Sequence, residues 1–186
     1  MKPVQRTQIL DYVTYGERRG EIRASALAAK KPRRISIGET FILLFENRET
    51  VRYQILEMVR TEKIVKDTDI QHEVDTYNEL IGGPGSLCAT LLIGIDDEAE
   101  RDLKLVAWVG LLERLYATGE DGARITPTWD SRQVGQGRLS AVQYLSFAFE
   151  GRAPLALGID WPEQDLAVEA TLSADQRSAL QADLDD

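Results

Sequence analysis

The side chains able to do chemistry gather in two short stretches, Glu46-Asn47-Arg48-Glu49 and Gln71-His72-Glu73-Val74-Asp75-Thr76-Tyr77-Asn78. On a helix, His72, Asp75 and Glu79 stand at i, i+3 and i+7, within about 60° of one another on one face. An imidazole and carboxylates in that array could ligate a divalent metal, the one cofactor these residues suggest. That face is opposite the apolar positions Ile70, Val74, Tyr77 and Ile81, where solvated side chains ordinarily stand. A solvated face is therefore the favoured reading, with His72, Asp75 and Glu79 kept as metal-ligand candidates.

Arg48 raises a different possibility. A helix capped at Asn47 and running to about Glu62 carries Val51, Ile55, Met58 and Val59 on one side, and Arg48 and Gln54 border that side. A guanidinium drawn toward an apolar surface needs a partner, and Glu46 or Glu73 could supply it. The favoured role is an ion pair stapling two helices. The sharper one is an arginine clamp for an anionic ligand at a helix N-terminus.

Nucleophile chemistry has little support. Cys88 lies in an apolar run, where thiols are usually inert packing groups. No serine occupies a Gly-x-Ser-x-Gly elbow, and Gly82-Gly83-Pro84-Gly85-Ser86 lacks the Gly-Lys-Ser/Thr ending of a phosphate loop, so no nucleotide motif is present. One cysteine and one histidine cannot build a closed zinc site, a symmetric di-iron site or an iron–sulfur cluster, and one cysteine cannot form an intrachain disulfide.

The elements that must position these residues follow from caps and periodicity. Thr14 with Glu17 has capping-box spacing and predicts a helix to about Ala29, stopped by Pro32. Arg34–Phe45 reads as one strand bent at Gly38. Thr68 with Gln71 predicts the cap of the third helix, which Gly82–Gly85 ends. Leu87–Ile95 reads as a central strand. Acids at Asp96, Asp97, Glu98 and Glu100 open a fourth helix ending near Gly110. Leu111–Thr118 and Ala123–Trp129 flank an Asp121-Gly122 turn. Val142–Phe149, Leu155–Ile159 and Asp165–Leu172 read as strands, and Ser173 with Gln176 caps a terminal helix. The expectation is a single α+β domain: residues 1–110 helix-rich, 111–172 strand-rich, 173–184 a C-terminal helix, with a mainly antiparallel sheet.

The 186 residues carry 22 Lys+Arg against 31 Asp+Glu, a net charge of −9 that argues against nucleic-acid or anionic-membrane binding by the whole surface. The charge is split. Residues 1–34 hold nine basic and three acidic side chains, so they carry +6 and the remainder −15. Opposite ends should attract, within one molecule or across a homodimer. The basic run Lys30-Lys31-Pro32-Arg33-Arg34 could touch phosphates, but a charge pattern suited to a helix C-terminus is the favoured reading. Trp108, Trp129 and Trp161 read as core or loop anchors rather than stacking platforms. Met1–Leu10 lacks the apolar region of a signal peptide, and no apolar run is long enough for a spanning helix. A cytoplasmic address is expected.

Several of these residues also carry a family resemblance. Phe45-Glu46-Asn47-Arg48, Glu57-Met58, Glu62, Gln71-His72-Glu73, Asp75-Thr76-Tyr77-Asn78, Gly83-Pro84-Gly85, Ala89-Thr90-Leu91 and Ser140-Ala141-Val142-Gln143-Tyr144 resemble the signature blocks of a bacterial family catalogued only as domain of unknown function 3501. The likeness runs over nearly the whole chain in order. It implies no activity. It does imply a redox or peroxide-stress setting, because members tend to be encoded beside rubrerythrin-like proteins and iron–sulfur oxidoreductases. The expected function is a non-catalytic accessory or assembly protein acting beside such redox partners, as a homodimer. The alternative is a small metal-dependent or anion-binding enzyme around His72 and Arg48. Ligand-binding candidates are Glu46, Arg48, Glu57, Glu73, Tyr77 and Asn78.

Overall fold

A computed structural model describes residues 1–135 and 137–186. The first helix, α1 (Tyr12–Lys30), begins earlier than the Thr14/Glu17 spacing predicts. Asp11 is its cap: one carboxylate oxygen accepts from the Val13 and Thr14 amides, both at 3.0 Å. The Thr14 hydroxyl donates to the other at 2.6 Å. A carboxylate beats a hydroxyl here because its charge also meets the positive end of the helix dipole.

The predicted bent strand is a hairpin. β1 (Arg34–Ile37) and β2 (Phe41–Phe45) pair antiparallel with Ile37 opposite Phe41, and Gly38 takes the left-handed φ of 61° that the turn requires. Helix α2 (Arg48–Thr61) has the Asn47 cap, with Asn47 and Thr50 bonding reciprocally, and it buries Val51, Ile55, Leu56 and Val59. Helix α3 (Asp67–Asn78) lacks the predicted Thr68/Gln71 box, since Lys66 is its N-cap and bonds no amide through its side chain. Gln71 instead donates to Asp75 at 2.7 Å, while Asp67 and Asp69 supply negative charge to the first turn. Ile70 and Val74 are buried as predicted, whereas Tyr77 and Ile81 are half-buried at the edge of the helical core.

The expected mainly antiparallel sheet resolves into two antiparallel sheets. One has the order β1-β2-β3-β6, with β3 (Ser86–Ile93) central as predicted and β6 (Val142–Ala148) beside it. The other runs β5-β4-β7-β8, from β4 (Leu115–Thr118), β5 (Arg124–Ile125), β7 (Ala156–Trp161) and β8 (Leu166–Thr171). Residues 111–114 form a 3₁₀ turn, so β4 is shorter than predicted. β5 stops well before Trp129, two residues ahead of Pro127, which has no amide to donate. Inward side chains of both sheets share one core, centred on Phe45, Phe147 and Leu157, with α4 (Glu98–Ala107) and α5 (Ala174–Asp185) contributing Leu105 and Leu180. Trp108 is buried in it against Phe41. A second core lies among α1, α2 and α3.

The joint between these layers pairs one residue from each end of the charge split. Arg33, 9% exposed, donates through two nitrogens to both oxygens of Asp183, 7% exposed, at 2.6 and 2.8 Å. It also reaches the Ala29 carbonyl at 2.7 Å. One residue of the basic run is thus paired internally with an acid of the C-terminal helix.

Because Arg33 is held out of water by this geometry, removing its partner leaves a buried charge uncompensated. Asp183→Ala is expected to lower unfolding free energy by about 3–5 kcal/mol in urea titrations, and Asp183→Asn by less. A loss below about 1 kcal/mol for the alanine variant would reduce the pair to an ordinary surface contact.

Candidate functional site

A cleft of about 540 Å³ opens where the end of α3 overhangs the outward face of the first sheet. Thr76, Tyr77, Glu79 and Leu80 form one wall; Cys88 on β3 and Tyr144 and Ser146 on β6 form the base. Strand alternation puts them there: Cys88 pairs with Ser146, and Thr90 with Tyr144, on the face turned away from the core. The glycine run sets the overhang. A Cβ on Gly82 would stand 2.1 Å from the Ser86 carbonyl oxygen, so the chain can fold back from α3 into β3 only through glycine.

Residues 128–133 close the far side. Thr128 and Ser146 exchange backbone hydrogen bonds of 2.8 and 2.9 Å, and the Gln133 amide side chain both donates to and accepts from the Tyr144 backbone, at 2.9 and 2.6 Å. This segment covers the free edge of β6 and brings Trp129 into the cleft wall. Asp130, at the rim, is held down to about 2 by the hydrogen bonds of the Arg132 guanidinium.

Glu46 is the most buried charged residue of the lining, at 1% exposure. Its amide donates to the Cys88 carbonyl at 3.0 Å, extending the β2–β3 ladder. Its carboxylate accepts from the Thr50 hydroxyl at 2.5 Å and, more weakly, from the Gln54 amide at 3.4 Å. Both donors are neutral, and among the described residues Glu46 makes no ion pair. Burial pushes the Cys88 thiol up, against a smaller lowering by its hydrogen bond with Ser146. Burial raises the Tyr77 phenol too, with Glu73 adding to it.

The predicted site residues are therefore dispersed. Glu46, Tyr77 and Glu79 meet in the cleft. Arg48 is half-buried in a separate depression with Gln8 and Arg52, and the predicted Arg48 pair with Glu46 or Glu73 does not form among the described residues. The helix rotates Arg48 to its own N-terminal end while Glu46 turns inward onto Thr50. His72 is exposed and borders the loop at Lys63–Lys66 together with Glu73. Asp75 is exposed and bonded to Gln71. Among the described residues no three His, Cys, Asp or Glu side chains gather to hold a metal. Asn78 straps the N-terminal segment, donating to and accepting from the Val4 backbone at 2.9 and 2.8 Å. Glu57 is held by a two-point pair with Arg19, 2.8 Å at each contact, and by the Tyr15 hydroxyl.

The sequence reads Cys88 as an inert packing thiol and Trp129 as a core or loop anchor, and it does not single out Tyr144 as a site residue. A signal for two of them was present, because Cys88/Thr90 and Tyr144/Ser146 interrupt otherwise apolar strands at period two, marking an outward face. Trp129 had none, since its place depends on how residues 128–133 cross the sheet edge.

Two antiparallel sheets sharing a core, with a three-helix layer and a cleft at the seam, define the class as an α+β protein. The model of the family described as "Protein of unknown function (DUF3501)" matches residues 3–184, and the chain belongs to that family. A crystal structure of a novel protein of unknown function from Burkholderia pseudomallei is similar, with a TM-score of 0.88 and 30% identity over 98% of this chain and 100% of that one. The comparison with curated proteins gives no match. Among the described residues no helix is long and apolar enough to cross a membrane.

The Arg19 hydrogen bonds hold the Glu57 carboxyl below its ordinary value near 4.5, so the folded state keeps it ionised where the unfolded chain would protonate it. Its stabilisation is complete above about pH 4.5 and is lost as pH falls through the depressed value. Glu57→Gln should therefore be less stable than the parent at neutral pH, with the gap narrowing on acidification below pH 4.5. Urea midpoints across that range check this; a gap that does not change with pH would show that Glu57 acts by packing alone.

Proposed function

We propose that this chain is a non-catalytic accessory protein that binds a small molecule in the cleft between α3 and the first sheet. The observation that carries the reading is the composition of that cleft: about 540 Å³, walled by Tyr77, Leu80, Trp129 and Tyr144, with one buried carboxylate, Glu46, among its polar groups. Concave, largely apolar cavities with a few placed polar groups are the usual form of small-ligand sites. The thiol chemistry supports binding over turnover. Cys88 faces the Glu79 carbonyl at 4.0 Å and Ser146, neither of which is a base, and burial favours its protonated form.

Rubrerythrin-like proteins or iron–sulfur oxidoreductases are the partners that the family setting implies, and in this reading the chain serves them without carrying electrons itself. Co-elution of the chain with such a protein on gel filtration supports the partnership; two separate peaks count against it.

Cys88 makes the binding claim directly testable. Fragments should give saturation-transfer NMR signals with the native protein that disappear once a bulky maleimide is attached to Cys88. A fragment set whose signals are indifferent to that block would remove the cleft as the binding site.

A further inference from the structure

We infer that the ligand of this cleft is a small organic cation, an ammonium or amidinium on an apolar or aromatic body; this rests on the binding reading above. Three carboxylates line the cleft, those of Glu46, Glu79 and Asp130, and among the described residues no Lys, Arg or His does. Sign alone would not carry the point. Glu79 and Asp130 are exposed, and Asp130 is already paired with Arg132.

Glu46 is different in kind. It is withdrawn from water, and among the described residues its oxygens accept only from the neutral Thr50 hydroxyl and Gln54 amide. Beside it, the Gln54 amide oxygen is buried with no hydrogen-bond partner. Glu46 thus puts a buried carboxyl group in the cleft lining that, among the described residues, no cation of this chain pairs, and the unpartnered Gln54 oxygen adds an acceptor behind it. An ammonium or amidinium brings what is missing, N–H donors and a positive charge. A carboxylate or phosphate ligand would bring more acceptors and a like charge, which the lining would repel.

The walls suit the rest of such a ligand. Tyr77, Trp129 and Tyr144 present aromatic rings, whose faces attract cations, and Leu80 offers apolar contact to a hydrocarbon body. A bare metal ion fits less well, because no three ligating side chains converge among the described residues.

Three probes that share a ring and differ in the head group test this: benzylamine, benzyl alcohol and benzoate, titrated by ligand-observed NMR. Benzylamine should bind at least about tenfold tighter than the alcohol, with benzoate weakest. Glu46→Gln, which keeps the Thr50 contact, should abolish the preference for the amine. Tyr144→Leu, at a position 48% exposed and hence tolerant of change, should weaken the amine and leave the alcohol nearly unaffected. Should the glutamine variant fail to fold, the head-group series on the native protein and the Tyr144 variant still decide. The alcohol or benzoate binding as tightly as the amine overturns the cation inference while the binding reading stands. So does failure of the amine to bind while other fragments respond to the Cys88 block. Failure of all probes and all fragments overturns both.

Discussion

The paired Arg33 and Asp183 form the buried ionic joint at which three parts of the chain meet. Arg33 lies in the turn between α1 and β1, and Asp183 lies near the end of α5. The Asn47 amide, at the cap of α2, also donates to Asp183 at 3.3 Å, and Gln176 of α5 reaches the Arg34 carbonyl at 3.1 Å. Helix layer, first sheet and terminal helix therefore converge on one carboxylate. Such a pair adds little net energy over an apolar substitute, but its geometry admits few alternatives. Here it specifies how two separate cores are set against each other.

The candidate site depends on the same joint. Asn47 caps α2 and touches Asp183; the residue before it is Glu46, and Thr50 serves both, accepting from the Asn47 amide at 2.9 Å and donating to the Glu46 carboxylate. A single turn of helix thus fixes the orientation of α2 and anchors the buried acid of the cleft. The wall contributed by α3 follows, because α3 packs on α2 through Ile70 and Val74. Movement at the Arg33–Asp183 joint would reach Glu46 through covalent neighbours.

What was legible in the sequence was whatever local chemistry decides. The Asn47 and Ser173 caps, the central strand near Leu87, and the alternation at Leu166, Val168, Ala170 and Leu172 needed only side chains interacting with nearby backbone or a period of two. The failures have a common physical form. Thr14 and Thr68 had acceptable cap spacing, but a competing acid or a better side-chain partner lay within one turn. Gly38 could bend a strand or reverse it, and only the pairing of Ile35 with Leu43 chooses reversal. Arg48 was assigned a partner by helical angle, yet that angle does not say how two helices are rotated about their axes. Glu46 emerged among the candidates for its neighbourhood with Arg48 and stands in the site for another reason, its contact with Thr50.

The placement of Glu46 bears on what the cleft is for. Removing a carboxyl group from water without a cation beside it is unfavourable, and two neutral hydrogen bonds recover only part of the loss. A leucine at the same point would pack against the same core without that penalty. The neighbouring buried acceptor on Gln54 adds to the expense rather than relieving it. The other buried acid, Asp183, is matched in full by Arg33, so this fold is able to neutralise a carboxylate where only structure is at stake. Its not doing so at Glu46, among the described residues, is the feature on which the proposed cation site rests.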